Sequence, residues 1–123
     1  MKNLIVFCFA FTILTIGCEK FTKKDISGNW QAASLSEEGK PLKVNVDAIY
    51  FNFDENGGYE YSGTLKYKEK GSYYLQGDLL YTLDTINESS VEKAVRITKL
   101  TPDSLYLKMN ASGKEQFLHL YKK

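Results

Sequence analysis

The sequence predicts an all-β domain, closed as a single eight-stranded antiparallel up-and-down barrel, and three observations carry that prediction. Short runs of alternating apolar and polar residues recur from residue 30 to residue 121. Turn chemistry separates them: Asn56-Gly57-Gly58, Gln76-Gly77-Asp78, Thr101-Pro102-Asp103 and the polar stretch 110–114. The chain carries nine Tyr, and beyond residue 24 no segment shows a convincing 3.6-residue period. Short hairpin-linked strands in this number close most simply into a barrel, because closure removes the unpaired edges of an open sheet.

The N-terminus stands apart from this pattern. Met1-Lys2-Asn3 is a short positive start, and residues 4–16 are almost wholly apolar and uncharged. A membrane-spanning helix needs about 20 such residues; a secretory signal needs this charge order and this length. The alternative, a buried core helix, fits poorly with a place at the extreme terminus. Thr15-Ile16-Gly17-Cys18 closes the run and resembles the lipobox of bacterial lipoproteins: Gly17 and Cys18 fit, while Thr15 and Ile16 replace the commoner residues. That resemblance implies a signal peptide over 1–17, cleaved before Cys18, whose thiol takes a diacylglycerol. Residues 18–24 are then a lipidated tether to a membrane. An ordinary secretory cut followed by a free Cys18 is the alternative. The expected location is the cell envelope, on the periplasmic face of the outer membrane. Glu19 is the only acid beside Cys18, so export to the cell surface is not indicated.

Cleavage leaves 106 of the 123 residues, enough for one domain over 25–123, and balances 15 basic against 15 acidic residues. A nucleic-acid partner is not expected, since it would call for a basic excess. Cys8 leaves with the signal and Cys18 is lipidated, so no disulfide is expected and the fold must rest on its core. The basic cluster 20–24 reads as a solvated tether, or as a contact with anionic headgroups.

Residues 25–27 are expected to form one helical turn. The first strand is residues 30–35. The second is 43–54, where Ile49, Phe51 and Phe53 alternate with Tyr50, Asn52 and Asp54. The third is 59–68, with Tyr59, Tyr61, Gly63, Leu65 and Tyr67 on one face and a bulge or bend at Gly63. The fourth is 71–75 and the fifth 79–84, followed by a polar loop to Ser90. The sixth is 91–100, with Val91, Val95 and Ile97 on one face; the seventh is 105–109 and the eighth 115–121.

Ser27-Gly28-Asn29-Trp30 is a Gly-x-Trp motif opening the first strand after a short turn. It resembles the signature of lipocalins, and with the segments 51–59, 71–75 and 97–105 the chain from about 25 to 122 is similar to the small lipocalin-like domains of bacterial envelope lipoproteins. The resemblance implies a barrel plugged at one end by Trp30. In many lipocalins an Arg packs on that Trp; Arg96, the only Arg, is the candidate here.

Phe51, Phe53, Tyr59, Tyr61, Tyr73 and Tyr81 are the candidate ligand-lining residues, joined by Tyr67 and Tyr74, since pockets combine apolar walls with a few hydroxyls. The same side chains equally describe a packed core with phenol tips at the rim. His119, the only histidine, has no second His or nearby Cys with which to bind metal and no nucleophile placed to pair with it. Asp54-Glu55-Asn56 lacks the distal Glu of a calcium loop. Asn87-Glu88-Ser89 fits an N-glycosylation pattern, and Asp84-Thr85-Ile86 and Asp103-Ser104-Leu105 resemble a short O-glycosylation signal. No catalytic residue, metal or cofactor is expected. The expected function is a lipid-anchored barrel that binds a small hydrophobic or amphipathic molecule. The alternative is a filled barrel that contacts an envelope protein partner, and a third, weaker reading is an enzyme using His119.

Overall fold

The computed structural model describes residues 20–87 and 91–123. The expected signal peptide over 1–17, the expected lipidation site at Cys18 and two residues of the Asn87-Glu88-Ser89 motif lie outside the described residues. Among the described residues nine strands form one antiparallel sheet: β1 (Gly28–Glu37), β2 (Lys40–Pro41), β3 (Tyr50–Phe53), β4 (Gly58–Ser62), β5 (Lys68–Gln76), β6 (Leu79–Asp84), β7 (Glu92–Leu100), β8 (Ser104–Ala111) and β9 (Lys114–Lys122). Each of β3 to β9 pairs with its neighbour in sequence, β1 pairs with β3, and β9 returns to β1. The result is a closed eight-stranded barrel with one extra strand, β2, folded back on the far end of β1 through Glu38-Gly39, both at positive φ. Two successive positive-φ residues are what a tight two-residue hairpin turn demands, and Ser112-Gly113 meets the same demand between β8 and β9.

The main departures from the sequence expectation have local reasons. The helical turn, α1 (Lys23–Ile26), starts earlier than expected because Thr22 caps it. Its Oγ1 accepts from the Asp25 amide at 3.3 Å while Asp25 Oδ2 accepts from the Thr22 amide at 2.9 Å. The expected strand 43–54 is a strand only over Tyr50–Phe53. The Asn45 side chain accepts from the Asp47 amide and turns Val46–Ala48 into a single 3-10 turn. The buried Gln31 amide then donates to the carbonyls of Val46, Asp47 and Ile49 at 3.0–3.3 Å, satisfying groups that a strand partner would otherwise take. The expected strand 59–68 ends at Ser62. There the Gly63 amide bonds back to the Tyr67 carbonyl at 2.8 Å, and Leu65 and Lys66 adopt φ of 58° and 63°. This is a reversal between β4 and β5, which therefore starts at Lys68 and not at Gly71.

The interior is filled by the inward residues of each strand, among them Trp30, Ala32, Phe53, Tyr59, Tyr73, Leu80, Ile97, Leu107 and Leu120, with Ile26 of α1 beneath them. Register shifts at 32–34 and 97–99 change which residues point inward. Past the first, Leu35 takes up the inner face; past the second, Leu100 does. Leu118 and Leu120 are the inner residues of β9, which places His119 on its outer face.

Candidate functional site: a cavity at the open end of the barrel

One end of the barrel is sealed and the other is open. The sealed end gathers the start of β1, the end of β9 and α1. Trp30 is fully buried there, and its indole Nε1 donates to the Ile26 carbonyl at 2.8 Å. The Lys122 ammonium lies 4.9 Å from the Trp30 ring centre, a cation–π contact. Arg96 is elsewhere, paired at 2.6 Å with Asp78 on the outer surface. The cation on the plug is therefore Lys122, supplied by the last strand. Gly28 makes room for it: its φ is 125°, and a Cβ there would lie 2.5 Å from Lys122 Cε. The Gly-x-Trp spacing thus places a residue without a side chain beside the plug, where the lysine crosses. Phe21 packs against the same end.

The open end holds a cavity of about 330 Å³. On β1 and β9 its residues, Leu35, Gln116 and Leu118, lie toward the ends away from Trp30 and Lys122. Leu35, Phe51, Leu80, Val95, Met109 and Leu118 form an apolar wall; Tyr61, Tyr67, Glu69, Thr82, Lys93 and Gln116 bring polar groups to it. Of the expected lining residues, Phe51, Tyr61 and Tyr67 line the cavity, the Phe51 and Tyr61 rings 4.7 Å apart. Phe53, Tyr59 and Tyr73 point inward but belong to the packed core below, with the Tyr73 ring edge-on to Phe53 at 5.0 Å. Tyr81 does not face the interior. On β6 the inner positions are Leu80, Thr82 and Asp84, so Tyr81 stands outside and stacks on Tyr74 at 4.7 Å. His119 stacks on Tyr106 at 4.1 Å on the outer surface, away from the cavity. Asn87 donates its amide to the Lys68 carbonyl at 2.9 Å and to Asp84.

The chemistry of the cavity is concentrated at Glu69, which sequence reasoning did not single out. It is 6 % exposed. Tyr59 donates to its Oε1 at 2.8 Å, Tyr67 donates to its Oε2 at 2.6 Å, and the Lys93 ammonium pairs with the same Oε2. Burial alone would raise the Glu69 carboxyl. The donors Lys93, Tyr67 and Tyr59 outweigh it and hold the group below the ordinary carboxylate range. The phenols respond in the opposite sense. Burial first, then Glu69, raises Tyr59 well above an ordinary phenol; the bond to Glu69 first, then burial, pushes Tyr67 up to about 12. A signal for Glu69 does exist in the sequence: on a strand starting at Lys68 it shares a face with Gly71, Tyr73 and Leu75, a lone acid in an inward series. Starting that strand at Gly71 hides it.

Around the mouth the turns expose apolar side chains. Leu65 is 97 % exposed at the tip of the β4–β5 reversal, and Ile86 and Val91 are also exposed.

Comparison with known proteins agrees with this architecture. The crystal structure of a lipocalin-like protein from Bacteroides uniformis ATCC 8492 superposes with a TM-score of 0.59 at 21% identity, over 76% of this chain and 96% of that one. No curated protein matches the sequence. The model of the lipocalin-like domain family matches residues 26–107, from the last residue of α1 into β8, and on that match the chain belongs to the lipocalin-like domain family.

Proposed function

We propose that the barrel is a small-molecule binding module, non-enzymatic, that takes a small hydrophobic or amphipathic molecule into its open end, and that it works as a lipid-anchored lipoprotein of the cell envelope. The cavity of about 330 Å³ carries the binding reading: a largely apolar wall meets one compact polar cluster, the usual composition of a site that buries a ligand's body and orients its polar end. His119 on the outer surface supports a binder over a catalyst. Native mass spectrometry on residues 20–123, which contain every strand of the closed sheet, tests it. A discrete adduct that disappears on denaturation is the expected result; a bare polypeptide mass that persists after incubation with envelope lipid extract would sink the reading. For the anchor, a clickable fatty acid fed to expressing cells should label the native chain and leave Cys18→Ser unlabelled.

The exposed apolar side chains around the mouth, Leu65 foremost, favour a second reading in which the open end contacts an envelope protein. Under that reading Leu65→Asp weakens partner capture and leaves small-molecule binding unchanged.

A further inference from the structure

Glu69 and Lys93 are unequal partners. The carboxylate is 6 % exposed and fixed by two phenols, whereas the ammonium is 53 % exposed at the end of a flexible four-carbon stem. As a device for stability the pair is poor, since burying a carboxylate is costly and a half-exposed lysine returns little. We propose that this corner of the cavity is an ammonium site, and that in the free protein Lys93 fills it in place of the amine of an amphipathic ligand. The inference rests on the cavity being a ligand site.

Three features favour an amine over an anion. A carboxylate offers about four acceptor positions, and three are taken, only one of them by Lys93; a ligand ammonium can replace Lys93 like for like while the lysine swings out to water. Aromatic faces are in place: Lys93 Nζ lies 5.9 Å from the Tyr67 ring centre, and Tyr61 meets Tyr67 edge-on at 6.2 Å. A carboxylate flanked by aromatic rings is the chemistry that recognises organic ammonium groups. Carboxylates also outnumber ammonium groups around the polar corner: Glu69, Asp84 and Glu37 stand against Lys93 and Lys114, the latter 3.8 Å from Glu37. Asp84 is buried at the next inner position of β6 and acts on Tyr59 and Tyr67, while Glu37 accepts from the cavity residue Gln116 at 2.8 Å. A ligand carboxylate would meet Glu69, which has acceptors only. The apolar wall, Phe51 and Leu118 included, receives the ligand's hydrocarbon.

Three probes with one tail separate the outcomes: octylamine, octan-1-ol and octanoate, titrated calorimetrically into residues 20–123 at neutral pH. Octylamine should bind tighter than the other two by roughly tenfold or more, the value of a charge-assisted hydrogen bond. Glu69→Gln should abolish that preference. Lys93→Met should tighten octylamine binding, because the competing ammonium is gone. Should Glu69→Gln fail to fold, the sign of the Lys93→Met effect decides alone. Equal affinity for all three probes would overturn the ammonium site and leave the cavity as a ligand site. Preference for octanoate that is lost in Lys93→Met would replace it with an anion site. Failure of all three to bind would remove the cavity reading itself.

Discussion

At the scale of single residues, the two most consequential positions differ in how openly they are written. Gly28 and Trp30 are legible because one spacing carries them, and the structure explains the spacing by the lysine that crosses between them. Gly28→Ala should cost about 1–3 kcal/mol, mostly backbone strain at φ 125° and partly the displacement of Lys122, measured by urea unfolding. Lys122 itself was not legible: the cation came from the far end of the chain, and only closure of β9 on β1 brings it to Trp30. Glu69 was hidden by a strand boundary. It makes a pH prediction. Its folded carboxyl lies below the unfolded one, so its contribution to stability is complete above the ordinary glutamate range and fades as pH falls through the depressed value. The groups that face it are Tyr59 and Tyr61 from β4, Tyr67 from the turn and Lys93 from β7, with Asp84 from β6 acting on Tyr59 and Tyr67. Acid unfolding of Glu69→Gln should therefore be flatter with pH than that of the native chain. At the alkaline limit the sign reverses. Tyr67 and Tyr73 are pushed up to about 12, so their contribution persists below pH 10 and is lost as pH rises toward that value. Phenolate absorbance should show part of the tyrosines titrating late.

At the scale of elements, strand existence was readable and strand ends were not. The alternation at Ile49, Phe51 and Phe53 is real, yet Asn45 pulls the preceding residues into a turn by bonding locally. Likewise Tyr59 and Tyr61 face inward, but the series Gly63, Leu65, Tyr67 looks like its continuation only until the chain reverses. Local hydrogen bonds and positive φ leave little trace in an apolar pattern. The reversal and the strand that follows it, β5, give opposite mutational signs. Lys66→Gly should stabilise by about 0.5–1 kcal/mol by relieving the left-handed backbone at φ 63°. Gly71→Ala should destabilise by about 3 kcal/mol or more, since the new Cβ would lie 1.9 Å from the Leu83 carbonyl oxygen of the paired strand and a backbone atom cannot step aside. Thermal melts of the two variants, run together, check both.

At the scale of the whole molecule, hairpin spacing was enough to foresee eight antiparallel strands in a ring, whereas a cavity or a filled interior was beyond its reach. That outcome depends on which face of each strand turns inward, and the irregularities at 32–34 and 97–99 reset the faces without any mark in the residue pattern. Closure has its own test. A chain ending at Gly113 lacks β9 and leaves the edges of β1 and β8 open; it should not yield a folded monomer by size exclusion and circular dichroism. The chain enters the barrel at Lys20 and Phe21, beside the plugged floor and opposite the mouth. A lipid on Cys18 would thus hold the molecule by its foot, like a cup stood on a shelf. Cargo would then arrive from the water above, since the bilayer gripping the base has no direct path to the brim.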